Sequence, residues 1–205
     1  MEKKISSAVI RRMPRYYRHL TELDKENVER ISSEVLAAKM GLTASQVRQD
    51  FNCFGGFGQQ GYGYNVQTLL KSIASILHID HGHTAVLVGV GNLGRALLRN
   101  FRFDACGFTV AGAFDPADEQ IGRVIGGVTI RPLGELESFV RETHPDIAVL
   151  AMPGSAARET AGQLVEWGIR GIWNFTNIDL HLELSDVPVE NVHFSESLMV
   201  LSYRL

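Results

Sequence analysis

The feature that most constrains this chain is a glycine-rich turn that follows a short apolar run. Residues 85–88, Ala-Val-Leu-Val, suit a fully buried strand of a parallel sheet. Gly89, Gly91 and Gly94 then give the spacing Gly-x-Gly-x-x-Gly, and a segment with helical character follows. In this motif the first glycine allows a tight turn, the second lets a pyrophosphate approach the backbone, and the third lets the helix pack on the strand. The pattern predicts a nucleotide at the start of that helix, where N–H groups lack intrahelical partners.

An acidic residue at the end of the next predicted strand indicates which nucleotide this turn binds. The strand spans residues 108–114, and Asp115 follows it, 21 residues beyond Gly94. A carboxylate at this place binds the hydroxyls of the adenosine ribose and repels a 2′-phosphate, which favours NAD(H) over NADP(H). Two alternatives remain open at this point. One is a turn without a ligand, and the other is a related fold that holds another nucleotide, such as a CoA ester.

The charge of the chain is distributed unevenly along its length. The formal net charge is −3 over 205 residues, but residues 1–80 carry eleven Lys and Arg against eight Asp and Glu, whereas residues 81–205 carry nine against fifteen. Residues 1–20 alone carry six basic residues against one Glu. A basic N-terminal part followed by an acidic C-terminal part favours a contact between the basic part and a polyanion. The alternative is a basic segment that is simply exposed to solvent.

The basic part contains two short predicted helices joined by a tight turn. The first is capped by Ser32 or Ser33 and ends at Gly41. The second is capped by Thr43 and spans residues 44–51. This is the helix-turn-helix pattern, in which the N-terminal residues of the second helix enter the major groove. The side chains that we expect to contact DNA there are Ser45, Gln46, Arg48 and Gln49. An ordinary helical hairpin is the alternative.

Two further segments of the basic part are candidates for DNA contact. Residues 5–23 are predicted to form one helix with a start or kink near Pro14, and basic residues lie beside its apolar positions. Residues 52–66 alternate glycines with aromatic side chains, which predicts a β-hairpin that forms a wing beside the recognition helix. Two glutamines at its predicted tip suit the acceptors of an A·T-rich minor groove. The candidate residues of the two segments are Arg11, Arg12, Gln59 and Gln60.

After Asp115 the sequence alternates further strands and helices, as expected of an α/β domain with a parallel sheet. We predict strands over 128–131, 146–151 and 169–174, a last strand near Val192 and Phe194, and helices over 134–142, 155–167 and 195–203. The histidines of the predicted linker 78–83 match no closed zinc set, so no metal is expected. Cys53 and Cys106 form no Cys-x-x-Cys pair, which indicates reduced thiols and a cytoplasmic protein. The chain has no apolar run long enough to span a bilayer.

The chain resembles the Rex-type redox-sensing transcriptional repressors over nearly its whole length. The motifs that carry the resemblance are RRMPRYYRHL (11–20), LTASQVRQDFNCFGGFGQQGYGYNV (42–66), VGVGNLGRAL (88–97), GIWNFT (171–176) and SESLMVLSYRL (195–205). The resemblance implies an α/β protein with an N-terminal winged-helix domain over 1–80 and a Rossmann-like, NAD(H)-binding domain over 81–192. It also implies that residues 193–205 form a C-terminal helix swapped into the partner of a homodimer. Such a protein represses genes from a near-palindromic double-stranded DNA operator, and NADH, opposed by NAD+, is the releasing signal.

The resemblance also implies roles for particular residues. The turn holds the pyrophosphate, Asp115 holds the ribose, and Arg48 with its helix contacts the operator. Phe194 approaches the nicotinamide from the partner subunit. The full set of implied cofactor-binding residues is Gly89, Val90, Gly91, Asn92, Leu93, Gly94, Asp115, Met152, Pro153, Asn174, Phe175 and Phe194.

Three places depart from the family pattern. Many members carry a basic residue at the wing tip, where this chain has Gln59 and Gln60. A Tyr is common where Asn100 stands, and an Asp is common where His193 stands. Because histidine titrates near neutrality, we hypothesise that His193 makes switching sensitive to pH. Equal release from DNA at two pH values would remove that hypothesis.

Two other functions compete with the repressor interpretation. An NAD-dependent dehydrogenase needs an acid or base within reach of its substrate, but no catalytic domain follows the predicted strands, and His144 stands in a connecting turn. We therefore expect a regulator and not an enzyme. A regulator that responds to CoA or another nucleotide is the second alternative, and Asp115 argues against it.

Overall fold

The computed structural model describes residues 5–57, 62–180 and 186–205. The chain divides into two compact units, Met1–His81 and Gly82–Leu205. Within the residues described, no helix is long and apolar enough to cross a membrane.

The first unit is a set of helices with a small two-stranded sheet. Its helices are α1 (Ser7–Lys25), α2 (Ser33–Met40), α3 (Ala44–Asn52) and α4 (Val66–Ile76), and its strands are β1 (Arg30–Ile31) and β2 (Tyr64–Asn65). Helix α1 runs through Pro14, so the helix start that the sequence allowed at this proline is not observed.

The turn between α2 and α3 is formed by the residues that the sequence indicated. The Ser32 hydroxyl accepts a hydrogen bond from the Val35 N–H, and α2 ends at Gly41, whose φ of 67° lies in the left-handed region. The Thr43 hydroxyl then accepts from the N–H of Gln46 and caps α3. The predicted helix-turn-helix is therefore confirmed, with Ser32 rather than Ser33 as its first cap.

The wing is built differently from the predicted hairpin. Strand β2 pairs antiparallel with β1, which precedes the helix-turn-helix, so that Ile31 lies opposite Tyr64. Residues 53–57 contain no strand, and the turn that ends α3 occupies residues 53–55. The sequence missed β1 because a two-residue strand carries almost no periodicity. The predicted tip, Gln59 and Gln60, lies outside the described residues.

The second unit is a seven-stranded sheet with helices on both faces. Its strands are β3 (His83–Val88), β4 (Phe108–Asp115), β5 (Val124–Ile125), β6 (Val128–Pro132), β7 (Ile147–Leu150), β8 (Gly171–Asn174) and β9 (Val189–Asn191), and its helices are α5 (Asn92–Asn100), α6 (Leu136–Thr143), α7 (Gly154–Glu166) and α8 (Phe194–Tyr203). The spatial order is β5-β6-β4-β3-β7-β8-β9, and every pair except β5 with β6 is parallel.

The strand order defines where a ligand can bind. Without the antiparallel edge strand β5, the order is that of the doubly wound dinucleotide fold, with β3 as its first strand. The chain leaves β3 toward one side of the sheet and returns with β7 on the other side. The crevice at the carboxyl ends of β3 and β7 is therefore the expected ligand site. The predicted Rossmann-like parallel sheet is confirmed.

The end of the chain corrects one prediction. The last strand is Val189–Asn191, and Val192 and Phe194, which we had placed in it, follow it. Phe194 instead begins α8, and every residue of this helix is exposed. The helix carries large apolar side chains that contribute to no core: Phe194, Leu198, Met199, Val200, Leu201 and Tyr203.

We predict that Phe51→Ala strongly destabilises the first unit. The ring is 1% exposed and lies 4.8 Å from the ring of Tyr16 and 5.1 Å from that of Tyr64. Removing a buried phenyl ring costs about 3–5 kcal/mol of the free energy of unfolding. Tyr62→Ala is the matched control, because Tyr62 is 71% exposed and should change stability by less than about 0.5 kcal/mol. Urea unfolding followed by far-ultraviolet circular dichroism measures both, and equal losses would contradict this view of the core.

Candidate nucleotide-binding site and nucleic-acid interface

The glycine turn lies at the carboxyl end of β3, where three strands meet. The Gly89 N–H donates to the Phe114 carbonyl at 2.9 Å, and the Ala151 N–H donates to the Val88 carbonyl at 2.9 Å. A Cβ atom on Gly89 would stand 2.6 Å from the Ala151 carbonyl oxygen, and its φ is 95°. A Cβ on Gly94 would overlap the Gly89 carbonyl oxygen. Both glycines are therefore required by the packing of the chain on itself.

Gly91 has no such requirement within the chain. A Cβ atom there would meet no atom within 4 Å, and its φ of −68° suits any residue. Gly91 is also the N-cap of α5 and supplies no side chain to the first N–H groups of that helix. The absence of a side chain leaves these N–H groups open to an anion, as expected where a pyrophosphate lies against the backbone.

Asp115 holds the glycine turn through hydrogen bonds to the backbone. One carboxylate oxygen accepts a hydrogen bond from the Val90 N–H at 2.6 Å, and the other accepts from the Ala117 N–H at 2.9 Å. The residue is 7% exposed. A carboxylate oxygen can accept more than one hydrogen bond, so Asp115 remains able to bind a ribose hydroxyl. The sequence indicated the ribose contact but not the bond to the turn.

The other residues of the turn differ in how far they are buried. Val90 is buried, Leu93 is half-buried, and Asn92 is exposed. The Asn92 side-chain oxygen accepts a hydrogen bond from the guanidinium of Arg95 at 2.5 Å.

The carboxyl ends of β7 and β8 hold the residues predicted to line the nicotinamide. Met152 is half-buried, and Pro153 is the N-cap of α7 and supplies no side-chain hydrogen bond. The Asn174 amide donates to the Ile178 carbonyl and to the Asn191 side chain, each at 2.7 Å. Its oxygen accepts from the Thr176 N–H and hydroxyl. Asn174 therefore organises the loop after β8.

Aromatic rings continue from this edge toward α8. The Phe175 ring centroid lies 4.6 Å from that of Trp173 and 6.1 Å from that of Phe194 of the same chain. Phe194 is 60% exposed, so its ring is only partly covered by its own subunit. The residue before it, His193, contacts the Asp179 carboxylate at 2.9 Å. Asn100, the other departure in this unit, is exposed at the end of α5.

The recognition helix α3 presents most of its predicted contact residues to solvent. Ser45, Arg48 and Gln49 are exposed, and Gln46 is half-buried. Arg48 donates to the Ser33 hydroxyl at 2.9 Å and lies 3.7 Å from the Glu34 carboxylate. Arg11 is exposed on α1. These DNA contacts remain predictions.

Arg12 has a structural role that the sequence did not reveal. Its guanidinium donates to both carboxylate oxygens of Asp50, at 2.6 and 2.7 Å. Asp50 is 1% exposed. Burial alone would raise the pKa of Asp50, but hydrogen bonds from Arg12, Gln46 and Tyr16 lower it below its ordinary value. The pairing spans 38 residues of sequence, so no local pattern could have shown it.

No group of three or more His, Cys, Asp or Glu side chains in the described parts of the chain is arranged to hold a metal ion. Cys53 and Cys106 are free and exposed. Burial around the thiol nevertheless raises the pKa of Cys106, which disfavours its reactive thiolate form.

Two family models match the chain, one on each unit. A model described as "Putative DNA-binding protein N-terminus" matches residues 4–52. A model described as "CoA binding domain" matches residues 80–178. The first covers the helix-turn-helix, and the second covers the glycine turn and most of the parallel sheet.

Curated relatives match nearly the full chain. A redox-sensing transcriptional repressor Rex from Clostridium botulinum (strain Alaska E43 / Type E3) is 51% identical over 203 residues, which cover 99% of this chain and 96% of the relative. The chain belongs to the Rex family of redox-sensing transcriptional repressors. A Rex repressor from Caldicellulosiruptor saccharolyticus is 48% identical over 204 residues, covering 100% of this chain and 93% of that protein. The proteins of this family are transcriptional regulators and not enzymes, which agrees with the expectation from the sequence.

Solved structures of a Rex-family repressor share the fold. The crystal structure of RSP in complex with β-NAD+ and operator DNA has a TM-score of 0.91 and 46% identity, covering 98% of this chain and 93% of that chain. The crystal structure of RSP in complex with β-NADH has a TM-score of 0.90 and 44% identity, covering 98% and 94%.

We predict that Gly91→Ala weakens NADH binding, whereas Gly89→Ala destabilises the fold. A methyl group at position 91 meets no protein atom, so the free energy of unfolding should change by less than about 0.5 kcal/mol. The same methyl group stands in the space expected for the pyrophosphate, and affinity for NADH should fall at least about 10-fold, or 1.4 kcal/mol. Gly89→Ala should instead cost about 1–3 kcal/mol of stability, because its φ is 95° and the Ala151 backbone is in the way.

Isothermal titration calorimetry with NADH and urea unfolding separate the two effects. Unchanged NADH affinity in Gly91→Ala would contradict the proposed position of the pyrophosphate.

Proposed function

We propose that this chain is a transcriptional repressor that senses the NADH/NAD+ ratio, binds operator DNA when NADH is low and leaves it when NADH binds. The observation that carries the proposal is that one chain joins a helix-turn-helix to a dinucleotide turn, with full-length relatives at about half identity named redox-sensing repressors. A solved relative was crystallised with NAD+ and operator DNA, and with NADH. Because a repressor acts on the chromosome, we place the protein in the cytoplasm.

We assign the two activities to separate parts of the chain. Residues 1–80 are the DNA-binding domain, residues 81–192 bind NAD(H), and residues 193–205 form a helix that joins two subunits. The division observed after His81 lies one residue from the first boundary. The pyrophosphate binds at Gly91 and the start of α5, and Asp115 binds the adenosine ribose.

Discrimination between NADH and NAD+ follows from the apolar edge of the sheet. The oxidised nicotinamide ring is a cation, whereas the reduced ring is neutral. An apolar pocket formed by Phe175 and Phe194 would remove water from the nicotinamide, and this desolvation disfavours the cation and favours the neutral ring. A preference of about 100-fold needs only ~2.7 kcal/mol. NADH releases DNA only if it binds the DNA-incompetent state more tightly than the competent one.

DNA binding follows from α3 and the basic α1. Arg48 and the exposed polar residues near the start of α3 are suited to base edges and phosphates, since Arg pairs with guanine and Gln with adenine. Two recognition helices of a symmetric dimer bind half-sites about 34–36 Å apart, which implies a near-palindromic operator. A change in dimer geometry that spoils this spacing releases the DNA.

The homodimer follows from α8. Leu198 and Met199 are each 67% exposed, and Leu201 is 53% exposed, in a helix with no buried residue. A contiguous apolar surface of this kind marks an interaction site on a soluble protein. A second copy of the chain is the partner that we assign to it. Phe194, at the start of this helix, would then reach the partner's nicotinamide.

The alternatives fit the structure less well. His144 lies at the end of α6, before β7 begins at Ile147, and therefore at the opposite edge of the sheet from the glycine turn. It cannot serve as acid or base for a nicotinamide bound at the carboxyl edge. The match to a CoA-binding model keeps CoA as a competitor. Competition binding of CoA against NADH decides between them, and Asp115 favours NADH.

We predict that NADH releases the wild-type protein from its operator and that NAD+ opposes the release. The protein first selects an A·T-rich near-palindrome from random DNA, and fluorescence anisotropy of the labelled duplex then follows binding during nucleotide titrations. The midpoint of DNA release is expected to depend on the NADH/NAD+ ratio rather than on the NADH concentration alone. Binding that ignores both nucleotides would overturn the redox-sensor function.

We predict that Leu198→Glu converts the dimer to a monomer. A carboxylate at this position cannot be buried against an apolar partner surface without a large desolvation cost. Val124→Glu is the matched control, because Val124 is an apolar residue of the same unit with 66% exposure and lies on β5, away from α8. Size-exclusion chromatography with light scattering measures the mass, and a Leu198→Glu dimer would contradict the role of α8.

A further inference from the structure

A buried carboxylate of the recognition helix α3 contacts one of the candidate base-contacting side chains of the same helix. Asp50 accepts four hydrogen bonds. One oxygen accepts from Arg12 at 2.7 Å and from the Gln46 amide at 3.0 Å, and the other accepts from Arg12 at 2.6 Å and from the Tyr16 hydroxyl at 2.9 Å. Arg12 and Tyr16 belong to α1, whereas Gln46 and Asp50 both belong to α3.

The Asp50 side chain is held in one position by this arrangement. The residue is 1% exposed, and Arg12 binds it through two parallel N–H···O bonds, the arrangement with the greatest directional preference. Lying between α1 and α3, the carboxylate keeps its place relative to both helices.

The ionised Asp50 carboxylate also determines the orientation of the neighbouring Gln46 amide. It has no proton to donate, so only the NH₂ group of Gln46 can face it. The Gln46 oxygen must then point away from Asp50, and the amide keeps a second N–H for another partner. A glutamine recognises adenine through one acceptor and one donor at once, so an amide turned the wrong way offers the wrong pattern.

Arg48, elsewhere on α3, has no buried carboxylate beside it among the described residues. Its guanidinium donates to the buried Ser33 hydroxyl at 2.9 Å, whereas its nearest carboxylate, that of Glu34, lies 3.7 Å away and is 71% exposed. Ion pairs in such exposed places contribute little to orientation. Gln46 therefore differs from Arg48 in that its side chain bonds a buried carboxylate, which accepts hydrogen bonds and donates none.

We propose that Asp50 is a positioning residue for operator recognition, which orients the Gln46 amide to present its oxygen and one N–H to an adenine in the major groove. The inference rests on the DNA-binding function proposed above and adds a determinant of sequence preference. Asp50 itself does not contact DNA. It acts before DNA binds, by excluding the second orientation of the Gln46 amide. Binding then costs less conformational entropy, because the amide is already ordered.

The test compares base preference, not only affinity, in the full-length protein. Gln46→Ala first identifies the base pair contacted by Gln46, as the operator position at which the variant no longer prefers A·T. Asp50→Asn should lose preference at that same base pair by about 10-fold. Its affinity for unrelated DNA should stay close to that of the wild type. In the double variant the two losses should not add, because both remove one interaction.

The matched control is Asp24→Asn, the same chemical change near the other end of α1. Asp24 lies 12 residues from Arg12 on this helix, or about 18 Å along its axis. It should leave base preference unchanged at every position. Circular dichroism establishes that each variant is folded before its DNA binding is compared.

Should Asp50→Asn not fold, nuclear magnetic resonance of the wild-type protein decides. A Gln46 side-chain amide held in one orientation in free protein supports the proposal, and an amide that averages between orientations overturns it. The proposal also fails if folded Asp50→Asn keeps the wild-type preference, or loses affinity equally for all sequences. Absence of any base preference in the wild-type protein is a different result, since it removes the DNA-binding function itself.

Discussion

The second unit depends on the close approach of two backbones where the strand order of the sheet reverses. Gly89 leaves β3 with its α-carbon against the Ala151 carbonyl, and no side chain fits between them. The ends of β4, β3, β7 and β8 are joined there by backbone hydrogen bonds from Gly89, Ala151 and Phe175. This contact brings the start of α5 to the carboxyl edge of the sheet, so the proposed nucleotide site depends on the close approach of the two backbones.

Each of the two proposed recognition elements is stabilised by a buried acidic side chain. Asp115 accepts a hydrogen bond from the Val90 N–H and so supports the turn that is proposed to hold the pyrophosphate. Asp50 accepts from Arg12 and Gln46 and so supports the helix proposed to enter the major groove. A buried charge is tolerated only when its hydrogen bonds are satisfied, so replacing either carboxylate is costly. Both positions therefore link the stability of the fold to the shape of a binding surface.

The C-terminal helix α8 limits the stability of the single subunit, because none of its side chains is buried in a hydrophobic core. Its apolar side chains stay exposed, whereas the sheet behind it is well packed, with Val86, Val149 and Leu150 fully buried. A helix of ten residues is marginal in water without tertiary contacts. Covering α8 with a second subunit would stabilise the helix and bring Phe194 to the nicotinamide at the same time. Nucleotide state and dimer geometry would then be coupled through one element.

The sequence by itself determined the elements whose causes are local. The spacing of Gly89, Gly91 and Gly94, the capping residue Thr43 and the terminator Gly41 predicted a dinucleotide turn and a helix-turn-helix, because each acts within a few residues. Only the tertiary structure decided the pairing of β1 with β2, the place of the last strand, and the bonds of Asp50 to Arg12 and Tyr16. These join residues 17 to 38 positions apart or depend on two-residue strands, and no local propensity encodes such contacts. The same reason applies to Asp115, because its place at the end of a strand was predictable from the spacing, whereas its hydrogen bond to Val90, 25 residues away, forms only in the folded chain.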